Sequence, residues 1–121
     1  MEVTKINLNY EIKEIIYNGK KDDIVFEFEE KYTLLSTFLS SDVQPFSNYV
    51  IEAIDKVLNE QSEYEEVNGN VCGIEIHKEK TQVYDNLAED GMARWCEVDT
   101  LELKVLVKAW LDELKKFKNT L

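Results

Sequence analysis

With one histidine, one proline, four glycines and two cysteines in 121 residues, this chain lacks the raw material for most catalytic and metal-binding motifs. A lone His77 rules out His-pair metal sites and leaves Cys72 or Cys96 as the only partners for a Cys–His nucleophile. Cys72 and His77 are five apart, so on one strand they point to opposite faces unless Gly73 introduces a bulge. The glycines are isolated, so no phosphate-cradling loop exists. The serines at 36, 40, 41, 47 and 62 have no Gly-x-Ser-x-Gly setting. Glu27 and Glu29 could pair as a carboxylate dyad, but alternation along an exposed strand accounts for them. No EF-hand spacing occurs, although Asp85, Glu89 and Asp90 could hold a loose Ca²⁺. No catalytic residue, metal site or cofactor is expected.

Two cysteines are too few for a disulfide scaffold, and both lie beside apolar residues in strand-like stretches. They read as buried free thiols, with a bridge left open if their strands pair. No apolar run is long enough to span a bilayer, no basic-then-apolar leader opens the chain, and no Asn-x-Ser/Thr site occurs. A cytoplasmic protein is the expectation.

Basic residues are also scarce. Lys and Arg total 14 against 25 Asp and Glu, for a formal net charge of −11. The deficit is uneven: residues 1–103 hold 9 basic and 23 acidic side chains, whereas residues 104–121 hold 5 and 2. Direct nucleic-acid binding needs a basic face that displaces counterions, and an anionic membrane surface asks for the same. The acidic body instead favours solubility and rapid encounter with basic proteins. Hydrophobic residues at 44% are enough for a core, and the length suits one domain, 1–121.

The most strongly patterned stretch is Asp99 to Phe117. Leu103, Leu106, Val107, Trp110, Leu114 and Phe117 fall at helical spacing, Asp99 and Glu102 make a capping box, and Lys115, Lys116 and Lys118 meet the negative end of the dipole. Upstream, Ile6, Leu8, Tyr10 and Ile12 alternate with polar residues, which predicts a strand with one buried face. Ile15 and Ile16 break that alternation, which suggests a bulge or a helical turn. Asn18-Gly19 forms a turn, and Ile24, Phe26 and Phe28 alternate again, giving a first hairpin. Tyr32, Leu35, Phe38 and Leu39 take helical spacing until Ser40-Ser41-Asp42. Pro45 opens a second helix with Phe46, Tyr49, Val50, Ala53, Ile54, Val57 and Leu58 on its inner face, and the two helices make an α-hairpin.

A second hairpin follows the Asn68-Gly69-Asn70 turn: Val71, Ile74 and Ile76, a polar turn at residues 78–80, then Val83. Gly73 within it suggests a bulge or a close backbone approach. Residues 85–91 read as an acidic loop, and Met92 to Val98 as a last strand, with Trp95 in the core. The expected fold is α+β in the order β-β-α-α-β-β-β-α, about five strands in a mainly antiparallel sheet with three helices covering one side.

What remains for function is surface. Glu60, Glu63, Glu65 and Glu66 crowd one short connection around Tyr64, and Asp85, Glu89 and Asp90 extend the same sign of charge. An exposed loop tolerates such crowding with no role attached. A basic partner would turn it to use, with Tyr64, Tyr84 and Trp95 as aromatic anchors if they are not core residues.

The Lys31–Leu58 helical pair, the Asn68-Gly69-Asn70 turn into the Val71–Val83 hairpin, and the Asp99-Thr100 cap with its terminal helix together cover most of the chain. In these features it resembles the small acidic immunity proteins of bacterial polymorphic-toxin and contact-dependent growth inhibition systems. The resemblance implies a stoichiometric inhibitor of a basic toxin domain, often a nuclease, with carboxylates standing where substrate phosphates would lie. It carries no individual binding residue, so the expected interface (Glu60, Glu63, Tyr64, Glu65, Glu66, Asp85, Glu89 and Asp90) rests on charge clustering. Two other readings stay open. One is an acidic regulatory or adaptor module, or a nucleic-acid mimic that blocks a DNA- or RNA-binding protein. The other is a small hydrolase or ligand-binding domain using Cys96 or His77. Ile15 and Val25 are spare apolar strand residues, so the chain is expected as a monomer or a homodimer.

Overall fold

The computed structural model describes residues 9–85 and 95–119. Strands β1 (Tyr10–Tyr17) and β2 (Lys20–Phe28) form an antiparallel hairpin, followed by the helices α1 (Thr33–Phe38) and α2 (Gln44–Leu58). Strands β3 (Glu65–Asn68), β4 (Cys72–Ile76), β5 (Lys80–Asp85) and β6 (Trp95–Asp99) make a second antiparallel sheet in that spatial order, and α3 (Thr100–Asn119) follows. The α+β class and the antiparallel pairing agree with the sequence. The count does not: among the described residues there are six strands in two sheets, because Glu65–Asn68, expected as part of a connection, pairs with β4. Ile6, Leu8 and the expected start of the last strand at Met92 lie outside the described residues.

Local chemistry explains most of these elements. Asn18 and Gly19 both take positive φ, 52° and 76°, as a tight turn matched to strand twist requires. The register slips between Ile15 and Ile16, where Asp22 of β2 is the extra residue, so the irregularity at this end of the hairpin is a bulge on the partner strand. Ile24, Phe26 and Phe28 are buried in alternation, and the α3 stripe from Leu103 to Phe117 is buried throughout. Phe26 joins the hairpin to α3 by meeting Trp110 edge-on, with centroids 5.1 Å apart, and Tyr10 stacks on Phe26 at 4.5 Å. The single buried face expected of β1 is corrected: beyond Tyr10 the strand is exposed, Ile12, Ile15, Ile16 and Tyr17 included. Alternation decides which residues share a face, and here the hairpin overhangs what would cover it.

The α-hairpin is likewise corrected. Ser40-Ser41-Asp42 does not end the first helix, because Leu39–Val43 continues it as a π turn, with Gln44 N–H reaching back to the Leu39 carbonyl. Pro45 offers no N–H to continue a regular ladder, and the axis kinks at Phe46 (φ −119°, ψ 25°). Val50, Ala53, Ile54 and Val57 remain buried as expected, whereas Tyr49, expected with them, is exposed. Tyr49 lies about 100° round the helix from Val50, at the margin of the stripe.

The π turn places Asp42 inside the protein. Its carboxylate, 2% exposed, accepts the backbone N–H of Val71 at 3.0 Å and of Cys72 at 2.8 Å, tying the helical layer to the entry of β4. A Cβ on Gly69 would collide with that carboxylate, so the turn needs glycine for space. At the far end, Thr100 donates its N–H to Glu79 O at 3.0 Å and its hydroxyl to His77 O, and lies 2.8 Å from the Thr81 hydroxyl. These contacts fix the start of α3 against the β4–β5 turn. Asp99, placed to cap that helix, has its carboxylate against Lys80 of the neighbouring strand. Lys104 of α3 meets Asp55 of α2 at 2.6 Å.

Cys72 and Cys96 are free and buried, and β5 separates their strands. Burial, reinforced by the Asp42 carboxylate, pushes the Cys72 thiol up to about 12, and burial pushes Cys96 up to about 11.

Two outcomes are expected. Asp42→Ala strands one buried and one part-buried N–H group and should remove about 3 kcal/mol of stability, read as a lowered urea midpoint with unchanged slope. Both thiols should resist alkylation at pH 8 until the chain is unfolded. A free thiol titrates near 9.0, so above that pH the unfolded chain loses protons that folded Cys72 keeps until about 12. Stability should therefore fall as pH rises through that window, measured as a declining melting temperature.

Candidate functional site

In an antiparallel sheet one register row places its side chains on one side, so the pairings give the composition of each face. Cys72, Ile74, Ile76, Thr81, Val83, Cys96 and Val98 point into the core. The intervening residues make the opposite face. One of its rows runs Asn68, Gly73, Tyr84, Trp95, and the next runs Glu66, Glu75, Gln82, Glu97. This face is open: Trp95 is 59% exposed and Tyr64, beside the same sheet, 40%. Trp95 is therefore not a core residue, because the alternation of β6 buries Cys96 and Val98 and turns Trp95 outward.

Gly73 makes a close approach rather than a bulge. A Cβ there would stand 2.6 Å from the Tyr84 ring, so the glycine lets that ring lie across β4 and donate its hydroxyl to Asn68 Oδ1 at 3.2 Å. Tyr64 donates to Glu66 Oε2 at 2.8 Å, and its ring sits 5.1 Å from that of His77. Hydrogen bonds from Asn68 and then Tyr64 hold Glu66 below the usual carboxylate range. The bond to Glu66 raises Tyr64, and burial followed by the charges of Glu66 and Glu75 raises Tyr84. Both phenols thus remain protonated donors. Glu66 and Glu75 stand directly opposite one another, a like-charge pairing that opposes folding. A ring layer with carboxylates in the adjacent row gives flat apolar area and a negative field together.

The expected interface residues divide across this geometry. Glu66 and Tyr64 belong to the open face. Glu65, its neighbour on β3, is half-buried on the other side and accepts the Ser62 hydroxyl at 2.9 Å. Glu60 and Glu63 lie at the end of α2, where Gln61 and Glu60 N–H groups cap the helix by bonding to Lys56 and Val57 carbonyls. Glu60 takes φ 61° there, and its ion pair with Lys78 lowers its pKa. Asp85 ends β5 rather than opening a loop, and pairs in register with Cys72, four residues along the strand from the row holding Glu65. At about 3.3 Å per residue it is far from the Glu60 end. Glu89 and Asp90 lie outside the described residues. Glu75 and Glu97 were missed, although the alternation of Cys72–Ile76 and Trp95–Val98 would have found them. His77 is exposed, with its ring tilted against that of Tyr64.

No family model matches this chain, and no solved structure does. Over 105 residues it is 44% identical to a Bacillus cereus protein described as an "Immunity protein", with 87% of each chain covered. Identity of that level, sustained over most of both chains, places this protein in the immunity-protein family.

Proposed function

We propose that the chain binds and neutralises one cognate bacterial toxin domain through the open face of the four-stranded sheet and the acidic end of α2. The role is inhibitory and not enzymatic, in keeping with the family. One observation carries the choice of face: Tyr84, Trp95 and Tyr64 are gathered there beside Glu66, Glu75 and Glu97. Exposed Trp and Tyr are the residues that dominate binding energy at interfaces, and adjacent carboxylates select a basic partner. The toxin that fits this chemistry is a nuclease. Its active site is basic because its substrate is polyanionic, and Glu66, Glu75, Glu97, Glu60 and Glu63 would stand where phosphates stand. Glu65, Asp85, Glu89 and Asp90 add to the field that steers the encounter. Binding in the cytoplasm, before the toxin meets nucleic acid, follows from that mechanism. Among the described residues no helix is long and apolar enough to cross a membrane.

The test is co-purification of the tagged full-length chain from its native lysate and with the product of the gene immediately upstream. A single basic toxin domain retained at one-to-one stoichiometry is the expected result; several unrelated nucleic-acid-binding proteins would point to a mimic, and nothing retained would overturn the proposal. Trp95→Ala should weaken that complex about 30-fold or more while leaving the melting temperature within a degree or two. Reversing Glu66 and Glu97 to Lys should slow association chiefly at low salt. Unchanged affinity in both variants would exclude the open face.

A further inference from the structure

We infer that the groove between α2 and the free edge of β3 receives an extended basic segment of the partner as an added strand; this rests on the immunity reading above. Among the described residues β3 is the terminal strand of its sheet and pairs only with β4. A groove of about 550 Å³ runs along it, with Phe46, Tyr49, Glu52 and Lys56 of α2 among the residues of its other wall. All four residues of β3, Glu65 to Asn68, line that groove. Consecutive strand residues alternate between faces, so four in a row can border one groove only along the strand's edge.

The pairing also sets which backbone groups meet the groove. Gly69 N–H donates to Cys72 O, so Gly69–Cys72 and Val67–Ile74 are hydrogen-bonded pairs and Glu66 belongs to the alternate set. The N–H and C=O of Glu66 therefore point away from β4, towards the open edge. The walls are comparable in length: the eleven residues of helix from Phe46 to Lys56 rise about 16 Å, and the four residues of strand about 13 Å. An extended segment satisfies the edge as a helix cannot.

Charge and side chains specify the occupant. Glu52, Glu65 and Glu66 face one cation, Lys56, which already lies 3.7 Å from Glu52. Tyr49, 69% exposed, offers a ring to an aliphatic stem or a cation, and Phe46 and Val67 supply an apolar floor. Lysine or arginine alternating with apolar residues is the pattern that fits. An acidic segment would meet repulsion at three positions.

The test is an NMR titration of the full-length chain with a capped octapeptide of alternating lysine and valine. A second octapeptide of the same sequence carries N-methyl groups on alternate residues, which keeps the charge and blocks strand pairing. The largest amide shifts should fall on Glu65 to Asn68, the Tyr49 ring should move, and the unmethylated peptide should bind about ten-fold more tightly. Glu66→Pro, which removes the outward N–H, should abolish that preference; Glu66→Thr, which removes only the carboxylate, should retain it. No shifts, equal binding of both peptides, or shifts centred on the open sheet face or the β1–β2 hairpin would overturn the inference. The two readings fail differently. A toxin domain held equally by Glu66→Pro and Glu66→Thr removes the groove and leaves the immunity role standing, whereas no toxin retained by the wild-type chain removes the reading beneath both.

Discussion

The carboxylate of Asp42 is the contact on which the placement of the four-stranded sheet depends. It sits in a π turn that ends just before Pro45, and it satisfies the two backbone N–H groups at the entry of β4. A buried charge is tolerable only where hydrogen bonds to the ionised form offset its desolvation, and two amide donors near 3 Å do that. The same carboxylate excludes any side chain at Gly69 and adds to burial in raising the Cys72 thiol. Once β4 is fixed at this end and the Thr81–Thr100 contact fixes the other, the pairings leave no freedom in which residues face outward. A helix-side carboxylate thus helps to turn Glu75, Tyr84 and Trp95 away from the core, with the Tyr84 ring lying over Gly73.

Legibility in the sequence followed the range of the interaction concerned. The α3 stripe, the Ile24–Phe26–Phe28 alternation, the Asn18-Gly19 turn and the disturbance at Ile15-Ile16 all depend on neighbours a few residues away, and all were readable. Strand β3 was not, because Glu-Glu-Val-Asn contains a single apolar residue and no period; it is a strand because β4 pairs with it. Asp42 reaches groups 29 and 30 residues onward, so its type could suggest only a helix end. The exposure of Ile12 escaped for another reason: period assigns faces, while coverage is a property of the whole packing. Trp95, by contrast, shares the period of Glu97, so its outward face was readable.

The candidate site shows the same division. Charge crowding pointed to Glu66 and Tyr64, which the sheet does bring to one face. It pointed equally to Glu65 and Asp85, which strand alternation and register send elsewhere. Glu75 and Glu97 are distant in sequence from Glu66 and form a row with it only after four strands align. Linear clustering is thus a poor guide on strands, where adjacent residues diverge and residues two apart converge.

That row is difficult to explain by stability. Opposing glutamates on β3 and β4 disfavour the sheet, and threonine or a lysine at either position would relieve it. An exposed Trp–Tyr layer without charge, on the other hand, would be a self-association surface. Placed together, the carboxylates keep copies of an already acidic chain apart while the rings remain available. The basic partner proposed above would reverse the sign of that barrier, turning repulsion between like molecules into attraction for one unlike molecule. The division of labour is then kinetic as well: the field acts over a Debye length and governs arrival, whereas ring burial acts at contact and governs departure. An inhibitor that must reach its toxin before that toxin acts, and then hold it, needs both.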